Sequence, residues 1–154
     1  MYMSNFSVKK LNNFLMFKLP SAYFSGVRVK SMNGKEAIAT VKHRWINQNP
    51  FKSLYWATQG MTSELATGIL VMKEIQDSGR KISMLVRHQN GTFTKKAVGR
   101  INFICKDGDL IKAAIQEAID SGEGQTVTMT SEGFDEKGDS VSKFEYTWGL
   151  KVKN

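Results

Sequence analysis

Cysteine and proline are scarce in this chain of 154 residues, which holds one cysteine, Cys105, and two prolines, Pro20 and Pro50. A lone cysteine excludes an internal disulfide framework and suits a reducing cytoplasm. So little proline excludes a proline-rich extended chain. No apolar run reaches the ~20 residues that a membrane-spanning helix needs. The first ten residues, Met1 to Lys10, lack the compact apolar stretch and small-residue cleavage site of a secretory signal. Histidine is limited to His43 and His88, which stand far apart with no cysteine or carboxylate at ligand spacing, so no metal site is expected. Zinc-finger spacing, a Gly-rich phosphate loop and an RNA-recognition aromatic signature are all missing.

What is present is an apolar fraction of 41%, enough for one filled core, and a single domain over 1–154 is expected. The net charge is +8, from 22 Lys and Arg against 14 Asp and Glu. Such a balance attracts nucleic acid, anionic lipid or a phosphorylated small ligand. The basic residues are scattered, however, as in Lys9, Lys18, Arg28, Lys35 and Arg44, and read as a solvated surface. Neither nucleic acid nor a membrane is the expected partner.

The pattern of residues predicts an α+β chain of order α-β-β-α-β-β-α-β-β, with mostly hairpin-linked antiparallel strands. Phe6, Leu11, Phe14, Leu15 and Phe17 form the apolar face of an N-terminal helix, ended by Pro20 and packed on the rest. Strands are expected over Tyr23–Ser31 and Lys35–Arg44, around an Asn33-Gly34 turn. A long helix follows from about Pro50 to Met72 or slightly beyond. Lys81–His88 is the third strand, Gln89-Asn90-Gly91 a second turn, and Phe93–Lys106 a long fourth strand. A helix over Asp109–Asp120 precedes two last strands, Gln125–Phe134 and Val141–Val152. In the last one Phe144, Tyr146, Trp148 and Leu150 alternate with Lys143, Glu145 and Thr147.

The long helix is the most informative segment. Asn49 is placed to cap it and Pro50 to occupy its first position. Leu54, Ala57, Met61, Leu65 and Gly68 recur at three- and four-residue spacing and mark one face. Gly60, Glu64 and Gly68 fall at i, i+4 and i+8, so a carboxylate stands between two positions with no side chain. An interior glycine costs a helix about 1 kcal/mol relative to alanine. Two of them imply close approach to the backbone beside Glu64.

On these residues the chain resembles the hotdog-fold thioesterases, especially an uncharacterised thioesterase-like branch of that superfamily. The matching segments are Asn49-Pro50-Phe51-Lys52-Ser53, Ser63-Glu64-Leu65-Ala66-Thr67-Gly68, and Phe93-Thr94-Lys95-Lys96-Ala97 with Gly99 after it. The likeness extends from about Pro20 onward. It implies an antiparallel sheet wrapped around the long helix, a homodimer or tetramer, and hydrolysis of acyl thioesters such as acyl-coenzyme A without a cofactor. It gives Glu64 the role of general base or nucleophile and puts Asn49 at the substrate, the two coming from different subunits. Lys52, Ser53, Tyr55, Trp56 and Gly60 then line the substrate site. Tyr55-Trp56-Ala57 occupies the place of a His-Gly-Gly turn in the phenylacetate-type enzymes, a departure that sets the bulk of Trp56 against the approach to the helix start.

Each of these residues has a plainer reading. Glu64 can be a structural carboxylate paired with a strand or with Arg87 or Arg100, since charges are rarely buried alone. Asn49 can be a helix cap only. Tyr55 and Trp56 can be core or pocket wall. Lys95, Lys96 and Arg100 could meet coenzyme A phosphates, but alternation puts Lys95 opposite the other two, which favours a solvated face. Cys105 reads as a small core residue. The rival function is a non-catalytic hotdog domain that binds an acyl or aromatic ligand or serves assembly.

Overall fold

The computed structural model describes residues 6–153; residues 1–5 and Asn154, which the expected domain includes, lie outside the described residues. The elements run α1 (Val8–Lys18), α2 (Pro20–Phe24), β1 (Arg28–Met32), β2 (Ala37–Lys42), α3 (Trp56–Asp77), β3 (Ile82–Phe93), β4 (Arg100–Cys105), α4 (Gly108–Ser121), β5 (Gln125–Phe134) and β6 (Ser140–Val152). The six strands form one antiparallel sheet in the order β1-β2-β4-β5-β6-β3. The sheet wraps around α3, which is the hotdog arrangement. Strand alternation decides which side meets the helix. Ala37, Ala39 and Val41 on β2, Ile101, Phe103 and Cys105 on β4, and Phe144, Tyr146, Trp148 and Leu150 on β6 are all buried.

Several boundaries differ from those expected, each for a physical reason. Pro20 ends α1 and also opens the short α2, where its missing N–H costs nothing, so β1 starts only at Arg28. The long helix begins at Trp56 rather than at Pro50, and no side chain caps it. Asn49 is engaged elsewhere: its Oδ1 accepts from the N–H groups of Phe51 and Ser53 at 2.9 and 3.2 Å, closing a tight turn before the helix.

Asn90-Gly91 is not a turn. Both residues lie inside β3, which continues to Phe93 and pairs with β6 at Asn90–Glu145 and Gly91–Phe144. Gly91 is there because a side chain would begin 2.7 Å from the Phe144 ring. The fourth strand accordingly starts at Arg100, after an irregular stretch. β3 and β4 are therefore not a hairpin. β3 forms one outer strand of the sheet and β4 lies between β2 and β5.

The buried surface of α3 is wider than the expected face, of which Leu65 and Gly68 are buried. Leu54 precedes the helix, and Ala57 and Met61 are only half-buried. The fully buried positions include Thr58, Gln59, Thr62, Ser63, Ala66, Thr67 and Leu70. Gln59, Ser63 and Thr67 fall at i, i+4 and i+8 and meet β6 through a polar seam. The Ser142 hydroxyl donates to Gln59 Oε1 at 2.7 Å, the Ser63 and Tyr146 hydroxyls share a bond of 2.6 Å, and Trp148 Nε1 donates to Thr67 Oγ1 at 3.0 Å. Buried polar groups that are paired in this way fix register as well as position. The seam sets the rotation of α3, and with it the direction in which Glu64 points.

Candidate functional site

Glu64 sits one position past Ser63, on the border between the seam and the half-exposed stripe of Ala57, Gly60 and Met61. Its carboxylate folds back along the helix toward Gly68, where a Cβ would lie 3.5 Å from Glu64 Oε1 and 3.4 Å from Trp148 Cζ2. Both are ordinary contact distances, so the carboxylate and the indole pack side by side over Gly68. Gly60 has a different setting, because a Cβ there would meet no atom within 4 Å. Its carbonyl accepts from the Tyr146 hydroxyl at 3.0 Å.

Around Glu64 the chain builds a small apolar cavity of about 60 Å³. Leu11, Phe14 and Leu15 of α1 cover it, Leu65 and Ile69 of α3 form its floor, and Val29 and Met84 close it from the sheet. Leu11 and Leu15 are almost fully buried, each contributing about 2 kcal/mol of hydrophobic stabilisation. The N-terminal helix is therefore a wall of the cavity that holds Glu64.

No charge offsets this burial. The ion pairs among the described residues, Lys73 with Asp77 and Lys95 with Asp135 and Asp139, leave Glu64 out. Neither arginine that could have paired with it does so among the described residues. Arg100 donates to Thr40 Oγ1, and the Arg87 stem covers Gly149, whose neighbour Trp148 faces the helix. Loss of water pushes the Glu64 carboxyl up to about 6. Its charge also adds to the burial that holds the Tyr146 hydroxyl well above the usual phenol range.

The other expected site residues gather elsewhere. Asn49, Ser53, Tyr55 and Trp56 line an open depression of about 470 Å³ with Gln59, Phe93, Lys95 and Lys96. Asn49 Nδ2 donates to Ser53 Oγ at 2.9 Å. Tyr55 and Trp56 are 46% and 54% exposed and meet edge to face at 5.8 Å. Of the two plainer readings, core and pocket wall, they fit the wall. Lys52 carries a positive φ of 59° and is exposed. Within one chain, then, Asn49 and Glu64 line separate depressions.

The start of α3 offers hydrogen-bond donors beside Asn49. Tyr55 N–H donates to Asn47 O at 2.9 Å and Thr58 N–H to Tyr55 O at 3.0 Å. Trp56 and Ala57 supply the remaining first-turn N–H groups, which a helix leaves without internal partners.

Lys95 is held by Asp135 at 2.6 Å and by Asp139 at 2.8 Å, so it braces a loop. Cys105 is buried and its thiol is pushed up to about 12, which makes it inert as a nucleophile at neutral pH. Among the described residues no group of three or more His, Cys, Asp or Glu is placed to hold a metal ion. No helix among them is long and apolar enough to cross a membrane.

Sequence reasoning missed the polar seam and the part played by α1. The seam left a signal, polar residues at positions 59, 63 and 67 facing a strand that carries Tyr146 and Trp148, whose polar ends need partners when buried. Phe14 and Leu15 were legible as an apolar face, but nothing local told what that face would cover.

Solved structures share this fold. A Pseudomonas aeruginosa protein described as of unknown function and a probable thioesterase is 20% identical, with a TM-score of 0.80 over 99% of this chain and 100% of that one. A Haemophilus influenzae thioesterase is 9% identical, with a TM-score of 0.67 over 98% and 94%. A Staphylococcus aureus thioesterase is 12% identical, with a TM-score of 0.59 over 81% and 93%. At such identities the likeness is one of fold. No curated protein matches the chain by sequence. Residues 9–150 match the model of the family described as a domain of unknown function, DUF4442, and the chain belongs to that family.

Proposed function

We propose that the protein hydrolyses acyl thioesters, acyl-coenzyme A among them, with Glu64 as general base or nucleophile at the interface of a homodimer. One observation carries this reading: a largely buried carboxylate, still partly open to solvent, without a counter-charge among the described residues, its pKa raised to about 6, at the wall of an apolar cavity. Such a group is ionised at neutral pH yet basic enough to accept a proton from water. A structural carboxylate gains nothing from that setting.

In the reaction, Glu64 takes a proton from water as the water oxygen bonds to the thioester carbonyl carbon. The oxygen of the tetrahedral intermediate is held by the first-turn N–H groups of Trp56 and Ala57 of the partner, with Asn49 beside them. The C–S bond then breaks and the proton on Glu64 passes to the leaving thiolate. Direct attack by Glu64, giving an anhydride that water opens, is the second route open to the same carboxylate.

Two features support a second copy. The outer strand β3 is twelve residues long and largely exposed, and an unpaired edge of that length invites a partner strand. Leu85, Phe93 and Trp56 are exposed apolar residues that such a copy can cover. The separation of Asn49 from Glu64 in one protomer also agrees with a site shared by two. In the Staphylococcus aureus protein a glutamine and, fifteen positions further on, a glutamate have been substituted. Asn49 and Glu64 have the same spacing. In this reading residues 1–154 form one cytoplasmic domain, with α1 as part of the site.

The exposed Trp56 at the helix start favours the second reading, a hotdog domain that binds an acyl or aromatic ligand without hydrolysing it. Incubation with short, long and aromatic acyl-coenzyme A thioesters, following thiol release, separates the two. Turnover of any member supports the enzyme. Binding of the thioesters without thiol release supports the rival.

A further inference from the structure

The cavity beside Glu64 adjoins a second space, with three residues standing between them. Phe14, Met72 and Met84 line both the cavity and a groove of about 380 Å³ that continues along α3 toward its C-terminal end. Phe6, Ile75 and Ile82 complete the apolar walls of that groove. At about 1.5 Å per helical residue, Glu64 and Gln76 are about 18 Å apart along α3, and an extended chain of about a dozen carbons covers most of that, the long side chains at the two ends the rest.

The walls are hydrocarbon and thioether. They offer no partner to the two amides of a coenzyme A carrier arm, and amides buried without hydrogen bonds are costly. A polymethylene chain has no such need, and flexible methionines at the narrowing adapt to it. The mouth is different. Arg80, Lys81 and Lys153 stand there with Gln76, no acid lines the groove, and none of the three cations is in an ion pair among the described residues. Long basic side chains at such a rim lay their stems on the apolar wall and keep their charges at its edge.

We infer that this groove holds the acyl chain of the substrate, and that the cations at its mouth select chains whose far end carries a carboxylate. The substrate class is then an unbranched ω-carboxyacyl thioester of about a dozen carbons. This rests on the reading of Glu64 as the hydrolytic centre. The thioester lies at Glu64, the chain passes Met72 and Met84 beneath α1, and the distal carboxylate meets Arg80, Lys81 and Lys153. The carrier leaves on the other side of Glu64.

The test compares the coenzyme A thioesters of dodecanoic and dodecanedioic acid. The wild type should show a kcat/KM about tenfold higher for the dioic thioester, a margin of the size that a few rim charges give. Arg80→Ala with Lys153→Ala should bring that ratio close to one, through KM. Met84→Trp should lower the ratio of dodecanoyl to butanoyl turnover, and Phe14→Trp, on α1 and away from the sheet, should do the same if Met84→Trp fails to fold. Equal rates for the two acids, or length ratios unmoved in folded variants, would overturn the inference while leaving a thioesterase in place. A rate that depends on the cations only through the carrier, seen as a loss with coenzyme A but not with N-acetylcysteamine thioesters, would also overturn it.

Calorimetric binding of free dodecanedioate is read without turnover. Binding that is weakened by Arg80→Ala with Lys153→Ala, in a protein that hydrolyses no thioester, keeps the groove assignment and sinks the hydrolytic reading instead.

Discussion

The Glu64 carboxylate lies against Gly68, its Oε1 at 3.5 Å, an ordinary contact distance, from where a Cβ there would stand. A glycine in mid-helix costs stability, and so does taking an unpaired carboxylate partly out of water. Both costs fall at one point of an otherwise well-satisfied helix. Local concessions of that kind collect at working sites.

Glu64→Gln should stabilise the protein above pH 6. A carboxyl whose pKa is raised from 4.5 to about 6 on folding binds its proton more tightly in the native state. Its share of stability is complete below the unfolded value and falls as pH rises between the two. The loss is about 2 kcal/mol once both states are ionised. Glutamine removes it. Urea melts at pH 8 should therefore show a higher midpoint for the variant, and melts at pH 4 should nearly coincide. A lower midpoint at pH 8 would mean that the carboxylate has a stabilising partner.

Activity should depend on the ionised form of the same group. The acid limb of kcat/KM is expected to have its midpoint near 6, the raised Glu64 value, and to flatten above it. A midpoint near 4.5 would show that the cavity does not keep water from the carboxylate during turnover.

Because Asn49 and Glu64 line separate depressions of one protomer, two inactive variants should complement each other. Asn49→Ala and Glu64→Gln proteins, denatured together and refolded, are expected to recover activity that neither shows alone. In the proposed dimer, a mixed pair would hold one site with both residues intact. Recovery no greater than the sum of the parents would place both residues in one chain's site.

Gly60→Leu separates packing within the protomer from packing between copies. A Cβ at Gly60 meets no atom of its own chain within 4 Å, so the folded protomer should tolerate the substitution. Sedimentation velocity should show a shift from dimer to monomer, with activity falling in step. An unchanged sedimentation coefficient would put the interface elsewhere.

Gly91→Ala tests the corrected course of β3. A Cβ 2.7 Å from the Phe144 ring overpacks the core side of the sheet, and destabilisation of about 1–3 kcal/mol is expected. Thermal melts with no change would mean that the ring moves aside freely.

The course of β6 was readable because its period of two is unbroken: Phe144, Tyr146, Trp148 and Leu150 are all buried, as their alternation requires. Glu64 stood out for a similar reason, as an acid among apolar and small residues. The misreadings came where one local signal has two physical uses. Asn-Gly at positions 90 and 91 makes a turn in a hairpin, but glycine also serves where an aromatic ring crosses a strand, and only the pairing partner Phe144 decides between them. Asn49-Pro50 suits a helix start, yet the same asparagine closes the turn before it, and the helix waits for Trp56. The cover that α1 gives to Glu64 depends on residues about fifty positions away in the chain, and no local pattern encodes it.

Hydrolysis of the preferred acyl-coenzyme A by the wild type and by Glu64→Gln, side by side and under single-turnover conditions, tests the central claim most directly. The account predicts thiol release by the wild type and a loss of about a thousandfold or more in a variant that folds and still binds the thioester. Equal rates from the two proteins would contradict it, because the carboxylate would then have no part in the chemistry.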